Sequence, residues 1–119
     1  METSEYSILK IYASSTDKIG TKLLYEYIVE LAKEKGLSGA TVYRGVMGFG
    51  QSSKKISTSK FWELTEKLPV MVEITDRTEA LKKFFHEIQV DLEAMPKGCM
   101  VALEPTKILL MKPGNKKKT

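Results

Sequence analysis

Gly48, Phe49 and Gly50 lead directly into Gln51 and Ser52, which places two side-chain-free backbone positions beside two polar side chains. Glycine lets a ligand approach the backbone closely. It also adopts positive φ, so that successive N–H groups can converge on an anion. Gln51 and Ser52 could then bond a phosphate or a ribose. The same residues equally suit a β-bulge or turn that launches an ordinary solvated loop. Arg44, just upstream, either points toward such a site or forms an ion pair with Glu63 or Glu73.

Other reactive residue types are sparse. Cys99 is the single cysteine, so no disulfide can form within the chain. Beside Met100 and Val101 it reads as a small core hydrophobe, because a nucleophilic thiol needs a partner base. His86, the one histidine, follows Phe85 just off an apolar helical stripe and reads as a helix-surface residue. No His/Cys cluster has zinc-ligand spacing, and neither a Walker-type phosphate loop nor a nucleophile-elbow signature occurs. Glu26, Glu30 and Glu34 recur every four residues, as expected of a solvated acidic helix face. The chain is therefore expected to bind rather than catalyse, with no metal and no required cofactor.

The elements that position these residues follow from periodicity. Tyr6 to Tyr12 is a predicted strand. Leu24, Ile28, Leu31 and Ala32 share one face of a predicted helix from Thr21 to Lys35, with Gly36 as its stop. A second strand is expected from Thr41 to Met47 and a third from Val70 to Thr75, with Pro69 at its mouth. Asp76-Arg77-Thr78-Glu79 has the form of a capping box for a second helix, in which Leu81, Phe84, Phe85, Ile88 and Leu92 form the buried stripe. Pro96-Lys97-Gly98 ends it. Cys99 to Leu103 is a further strand, and Lys107 to Met111 a short last one. This β-α-β-β-α-β order is that of an α+β, ferredoxin-like sandwich with an antiparallel sheet. Ile8, Val42, Val46, Val72, Ile74, Val101 and Leu103 are more apolar residues than one sheet face needs. Both faces are therefore expected to be dry and the protein to be an oligomer.

Composition bounds the partners. With 119 residues and 42% apolar content, one domain spanning residues 6–111 is expected, preceded by a flexible 1–5 segment. The net charge is +4, from nineteen basic and fifteen acidic residues. Lys112, Lys116, Lys117 and Lys118 account for that excess, so residues 112–119 read as a basic disordered tail on a neutral body. A nucleic-acid-binding face is not expected. Residues 51–60 hold one apolar residue, Ile56, and three lysines without an acid, which predicts a mobile, exposed loop. No apolar run approaches the length of a membrane span, and no secretory leader is visible, so a cytoplasmic protein is expected.

The run Gly39-Ala40-Thr41-Val42-Tyr43-Arg44-Gly45-Val46-Met47-Gly48-Phe49-Gly50 resembles the strand-to-loop segment of PII signal-transduction proteins. Leu68-Pro69 followed by Val72-Glu73-Ile74 resembles their Leu-Pro strand opening. Tyr43 to Gly50 is more similar still to an uncharacterised PII-like family. Together the motifs span most of residues 6–111. The resemblance implies a homotrimer with a ligand cleft between neighbouring subunits, Gly48 to Gly50 of one facing residues 97–99 of the next. It implies an adenine nucleotide as regulatory ligand, and a mobile loop that docks to a transporter, channel or enzyme. It also places Lys97, Gly98 and Cys99 at the phosphate-facing second loop, with the lysine neutralising one phosphate and the two amides donating to it.

Departures from the family pattern narrow the ligand. PII proteins carry lysine where this chain has Cys99, and lysine where it has Val70. They carry two arginines in a segment that is here the apolar Ile108 to Met111. Each lost cation removes a contact worth roughly 1.5–3 kcal/mol. A triphosphate would be under-compensated, and AMP is the expected ligand over ATP. Residues 51–60 contain no tyrosine, so tyrosine nucleotidylation cannot occur there. Two other classes remain open: a ligand-independent interaction module, and a small trimeric enzyme working in the inter-subunit cleft.

Overall fold

Apolar side chains at every second residue fix the central sheet. The structure, a computed structural model, describes residues 5–50 and 67–115, with residues 57–58 described by their backbone. Its elements are β1 (Tyr6–Ser14), β2 (Lys18–Ile19), β3 (Lys22–Leu23), α1 (Leu24–Glu34), β4 (Thr41–Arg44), β5 (Met47–Gly48), β6 (Ser57–Thr58), β7 (Pro69–Arg77), α2 (Thr78–Ala94) and β8 (Met100–Thr106). Four of the strands form one sheet in the order β4-β7-β1-β8, every neighbour antiparallel. This is the ferredoxin-like arrangement expected. Each helix follows a strand, and both cover the same sheet face.

That face holds the core. Leu9 and Ile11 of β1 and Val70, Val72 and Ile74 of β7 are buried. They meet Leu24, Ile28 and Ala32 of α1 and Leu81, Phe84, Ile88 and Leu92 of α2. The helical stripes are those the spacing predicts, with Leu31 and Phe85 at their half-buried margins. Gly36, at φ +79°, ends α1. The Leu37 amide reaches the Ala32 carbonyl at 3.0 Å and the Gly36 amide the Lys33 carbonyl at 3.1 Å, which is a Schellman closure.

The opposite face corrects an expectation. Val42, Val72, Ile74, Val101 and Leu103 all belong to the helix side, because their cross-strand partners do. Val46 lies outside the strands and is exposed. The second face instead alternates in polarity. Lys10 pairs with Glu104 at 3.0 Å, and Tyr43 donates to Glu73 at 3.4 Å. Ile8, set between Thr75 and Glu104, is apolar, as is the end near Tyr12, Tyr43, Met71 and Met100. A dry second face does not follow from these strands.

Several boundaries also differ from the periodicity reading. Lys22 and Leu23 belong to the β2–β3 hairpin, so α1 starts later than Thr21. The second strand breaks after Arg44, and Met47–Gly48 turns away to pair with Ser57–Thr58. Ser57–Thr58 lies inside the segment read as a loop; the remainder of 51–60 falls outside the described residues. Asp76 forms no capping box. It binds the Ser38 and Arg77 amides, each at 2.7 Å, while the first amide of α2, on Thr78, donates to the Glu5 carbonyl at 2.8 Å. Glu5 also pairs with Arg77 at 2.6 Å, so it is anchored rather than part of a free terminus. Finally, β8 runs on to Thr106 and no strand forms at 107–111. Thr106 pairs with Tyr6, the first residue of β1, and beyond it the sheet offers no partner. Pro105 is tolerated because β8 is an edge strand. Residues 109–115 are exposed and without regular structure; the rest of the tail lies outside the described residues.

A side-chain hydrogen bond joins the two helices. Tyr27 of α1 donates its hydroxyl to Asp91 of α2 at 2.6 Å. Accepting that bond, the Asp91 carboxylate pushes the phenol up to about 12, with burial adding to the effect. The folded protein holds this proton more tightly than the unfolded chain. The stabilisation is therefore complete below pH 10 and is lost as pH rises toward 12. Tyr27→Phe is expected to cost about 1 kcal/mol at neutral pH. In urea unfolding across pH, the gap between wild type and variant should close over that alkaline window; a constant gap would show that the hydroxyl contributes nothing through Asp91.

Candidate functional site

The entrance to β7 is fastened on both sides. The Ser15 amide donates to the Leu68 carbonyl at 2.7 Å, and the Leu68 amide returns a bond to the Ser15 hydroxyl at 3.0 Å. On the other side the Gly45 amide donates to the Pro69 carbonyl at 2.7 Å. The Pro69 ring lies against Gly45 and Gly48. A Cβ placed on Gly45 would stand 2.8 Å from Pro69 Cγ, and one on Gly48 would stand 3.3 Å away. These two glycines are required for close approach, not for conformation. Positive φ occurs only at Gly20 and Gly36 among the described residues, so Gly48 and Gly50 do not form the expected anion nest. Gly50 has open space around its Cα.

This packing opens a cleft of about 240 Å³ at the end of the sheet. Its first wall is the end of β1, with Tyr12, Ala13 and Ser14. Gly48, Phe49 and Gly50 form a second, and Gly98, Cys99 and Met100 a third. Lys67 to Val70 close the base. The two segments read as facing each other across subunits therefore line one cleft of one chain. Chain reversal in the sheet explains this: Tyr12 pairs with Met100 on one side and Met71 on the other, so both later segments return to the end of β1.

Not every candidate residue arrives there. Gly48, Phe49, Gly50, Gly98 and Cys99 line the cleft. Lys97 is exposed and does not. Arg44 is exposed too, and among the described residues it has no ion pair; Glu73 bonds Tyr43 instead, and Glu63 lies outside the described residues. Gln51 and Ser52 also fall outside them. Among the described lining residues the cation is Lys67, which no local pattern marks, and there is no carboxylate. Phe49 is 73% exposed, so its ring is free to cover a ligand.

Burial, and secondly the nearby Asp17 charge, push the Cys99 thiol up, which disfavours its thiolate. It packs against the core as a half-buried hydrophobe. His86 lies at a different groove, between α2 and β8. Among the described residues no three His, Cys, Asp or Glu side chains are grouped to hold a metal, and no helix is long and apolar enough to cross a membrane.

Comparison with known proteins agrees with this architecture. The family model described as DUF190, Uncharacterized ACR, matches residues 6–108. A UPF0166 protein of Aquifex aeolicus is 40% identical over 89 residues, covering 75% of this chain and 84% of its own. Another, from Methanocaldococcus jannaschii, is 37% identical over 76 residues, covering 64% of this chain and 68% of its own. Among solved structures, CPII, a nitrogen regulatory PII-like protein from Thiomonas intermedia K12 bound to ADP, AMP and bicarbonate, superposes with a TM-score of 0.53 at 16% identity. That match covers 91% of this chain and 94% of CPII. The divalent ion tolerance protein CutA1 from Ehrlichia chaffeensis gives 0.54 at 13% identity, covering 90% and 87% respectively. At such identities the likeness establishes a shared PII-like, ferredoxin-like fold.

The glycine contacts make a graded prediction. Gly45→Ala drives a methyl into the Pro69 ring and should cost about 1–3 kcal/mol. Gly48→Ala should cost less, and Gly50→Ala should stay within about 0.5 kcal/mol. Urea unfolding of the three variants checks the order, and equal effects at Gly45 and Gly50 would contradict the role of Pro69.

Proposed function

This chain belongs to the DUF190 family, and on that premise we propose that it is a non-catalytic PII-like regulator whose cleft binds a small adenine nucleotide, AMP in preference to ATP. The observation that carries this reading is the meeting of Gly48–Gly50 with Gly98–Cys99 around a cleft whose described lining has one cation, Lys67. Tyr12, Phe49, Leu68 and Met100 offer aromatic and apolar surface to a base. Backbone amides and the Lys67 ammonium suit one phosphate. Three phosphates would find too little positive charge. The fold likeness to CPII, which was solved with ADP and AMP, points to the same ligand class.

Signal transfer is assigned to residues 51–60, which follow the cleft glycines directly. Occupation of the cleft would shift Phe49 and Gly50 and so alter the segment that meets a partner, a transporter, channel or enzyme. In this reading the protein acts as a homotrimer in the cytoplasm, where Cys99 stays reduced. Exposed Val46, Met47 and Phe49 favour a second reading, an interaction module whose contact surface works without ligand.

Calorimetry with AMP, ADP, ATP and cyclic AMP separates these readings. AMP is expected to bind, ATP to bind more weakly, and none to be consumed. Lys67→Gln should weaken AMP about tenfold or more, the loss of one charge-assisted contact. Silence from all four ligands would refute the nucleotide reading, and turnover of a bound ligand would refute the non-catalytic one.

A further inference from the structure

Asp17 is 5% exposed and is the one buried ionisable side chain among the described residues. Its Oδ2 accepts the Ser14 amide at 2.9 Å, its own amide donates to the Ser14 carbonyl at 3.1 Å, and its carbonyl accepts the Leu24 amide at 2.7 Å. Among the described residues no cation pairs with it. An asparagine would make the same turn contacts without burying a charge. Retaining the acid therefore places an uncompensated negative charge directly behind Ser14, a wall of the cleft.

We propose that Asp17 is a specificity-determining residue: its buried carboxylate projects a negative field into the cleft and sets an upper limit on the negative charge of the ligand. Water screens a buried charge weakly, so its effect reaches across a cleft wall. Lys67 attracts an anion from the base while Asp17 repels it from behind the β1 wall. The repulsion grows with every added ligand charge, whereas a single ammonium forms close contacts with only one phosphate. Cys99 on the facing wall already feels this field, since the Asp17 charge is the second cause, after burial, of its raised thiol.

The single cysteine supplies a direct probe. Iodoacetate is an anion and iodoacetamide is neutral, and both react with the same thiolate, so the ratio of their rates at Cys99 reports the local field alone. Asp17→Asn is expected to raise the iodoacetate-to-iodoacetamide ratio by on the order of threefold or more. An unchanged ratio overturns the proposal. Should the variant not fold, Lys67→Gln removes the attracting charge from the lining, and its iodoacetate-to-iodoacetamide ratio should then be lower in folded protein than in urea. A folded-state ratio equal to or above the urea value overturns the proposal.

A nucleotide experiment extends the test and rests on the function proposed above. Asp17→Asn should strengthen ATP binding more than AMP binding, and an unchanged preference between bound nucleotides counts against the role of Asp17. The two ideas fail separately. A shifted alkylation ratio without any nucleotide binding refutes the ligand and sustains the Asp17 field, while nucleotide binding with an unshifted ratio does the reverse.

Discussion

The Leu68–Pro69 junction holds the cleft open and in register. Through Leu68 it is bonded to Ser15, at the exit of β1; through the Pro69 carbonyl it is bonded to Gly45, past the end of β4. The Pro69 ring then fills the space that side chains at Gly45 and Gly48 would occupy. Proline suits this place because it opens β7 at the sheet end. Remove this clasp and the β1 wall, the glycine wall and the base of the cleft lose their common attachment. Only the 98–100 wall is positioned independently, by the pairing of Met100 with Tyr12.

A cleft built this way is lined mainly by backbone and apolar groups. Its selectivity must come from shape and from a small number of charges. Among the described residues, Lys67 on the lining and Asp17 buried behind it are the two charges placed to act. The helix layer and the second sheet face are braced by side-chain bonds. Tyr27–Asp91 and Lys35–Glu87 at 3.4 Å join the helices, and Lys10–Glu104 braces the sheet. Exposed Val46, Met47 and Phe49 lie beside the cleft, where binding and partner contact can share residues.

The order of elements and the core were legible because both depend on local period. Leu81, Phe84, Ile88 and Leu92 recur as a helix requires, and Leu9 and Ile11 as a strand requires. Gly48 and Gly98 were legible as cleft residues through motif resemblance, although the physical reason proved different at Gly48: crowding by Pro69 rather than positive φ. Tyr12, Lys67 and Asp17 were not legible. Tyr12 reaches the cleft by strand register with Met100, eighty-eight positions along the chain, and nothing local marks it. Lys67 is one lysine among many. Asp17 reads as an ordinary turn residue, and its burial and its bonds to Ser14 and Leu24 come only with the fold. The apparent excess of apolar strand residues misled for a related reason: face assignment needs the pairing register, not a count of valines.

In the function proposed for this chain, one cleft between the end of β1, the glycine run and the 98–100 wall receives a singly phosphorylated adenine nucleotide. Titrating isotope-labelled protein with AMP and following backbone amide shifts by nuclear magnetic resonance tests it most directly. Shifts should concentrate at Tyr12 to Ser14, Gly48 to Gly50, Lys67, Leu68 and Gly98 to Met100, with the α2 surface silent. Shifts centred instead on the groove of Leu81, Phe85 and His86, or none at all at saturating AMP, would contradict it.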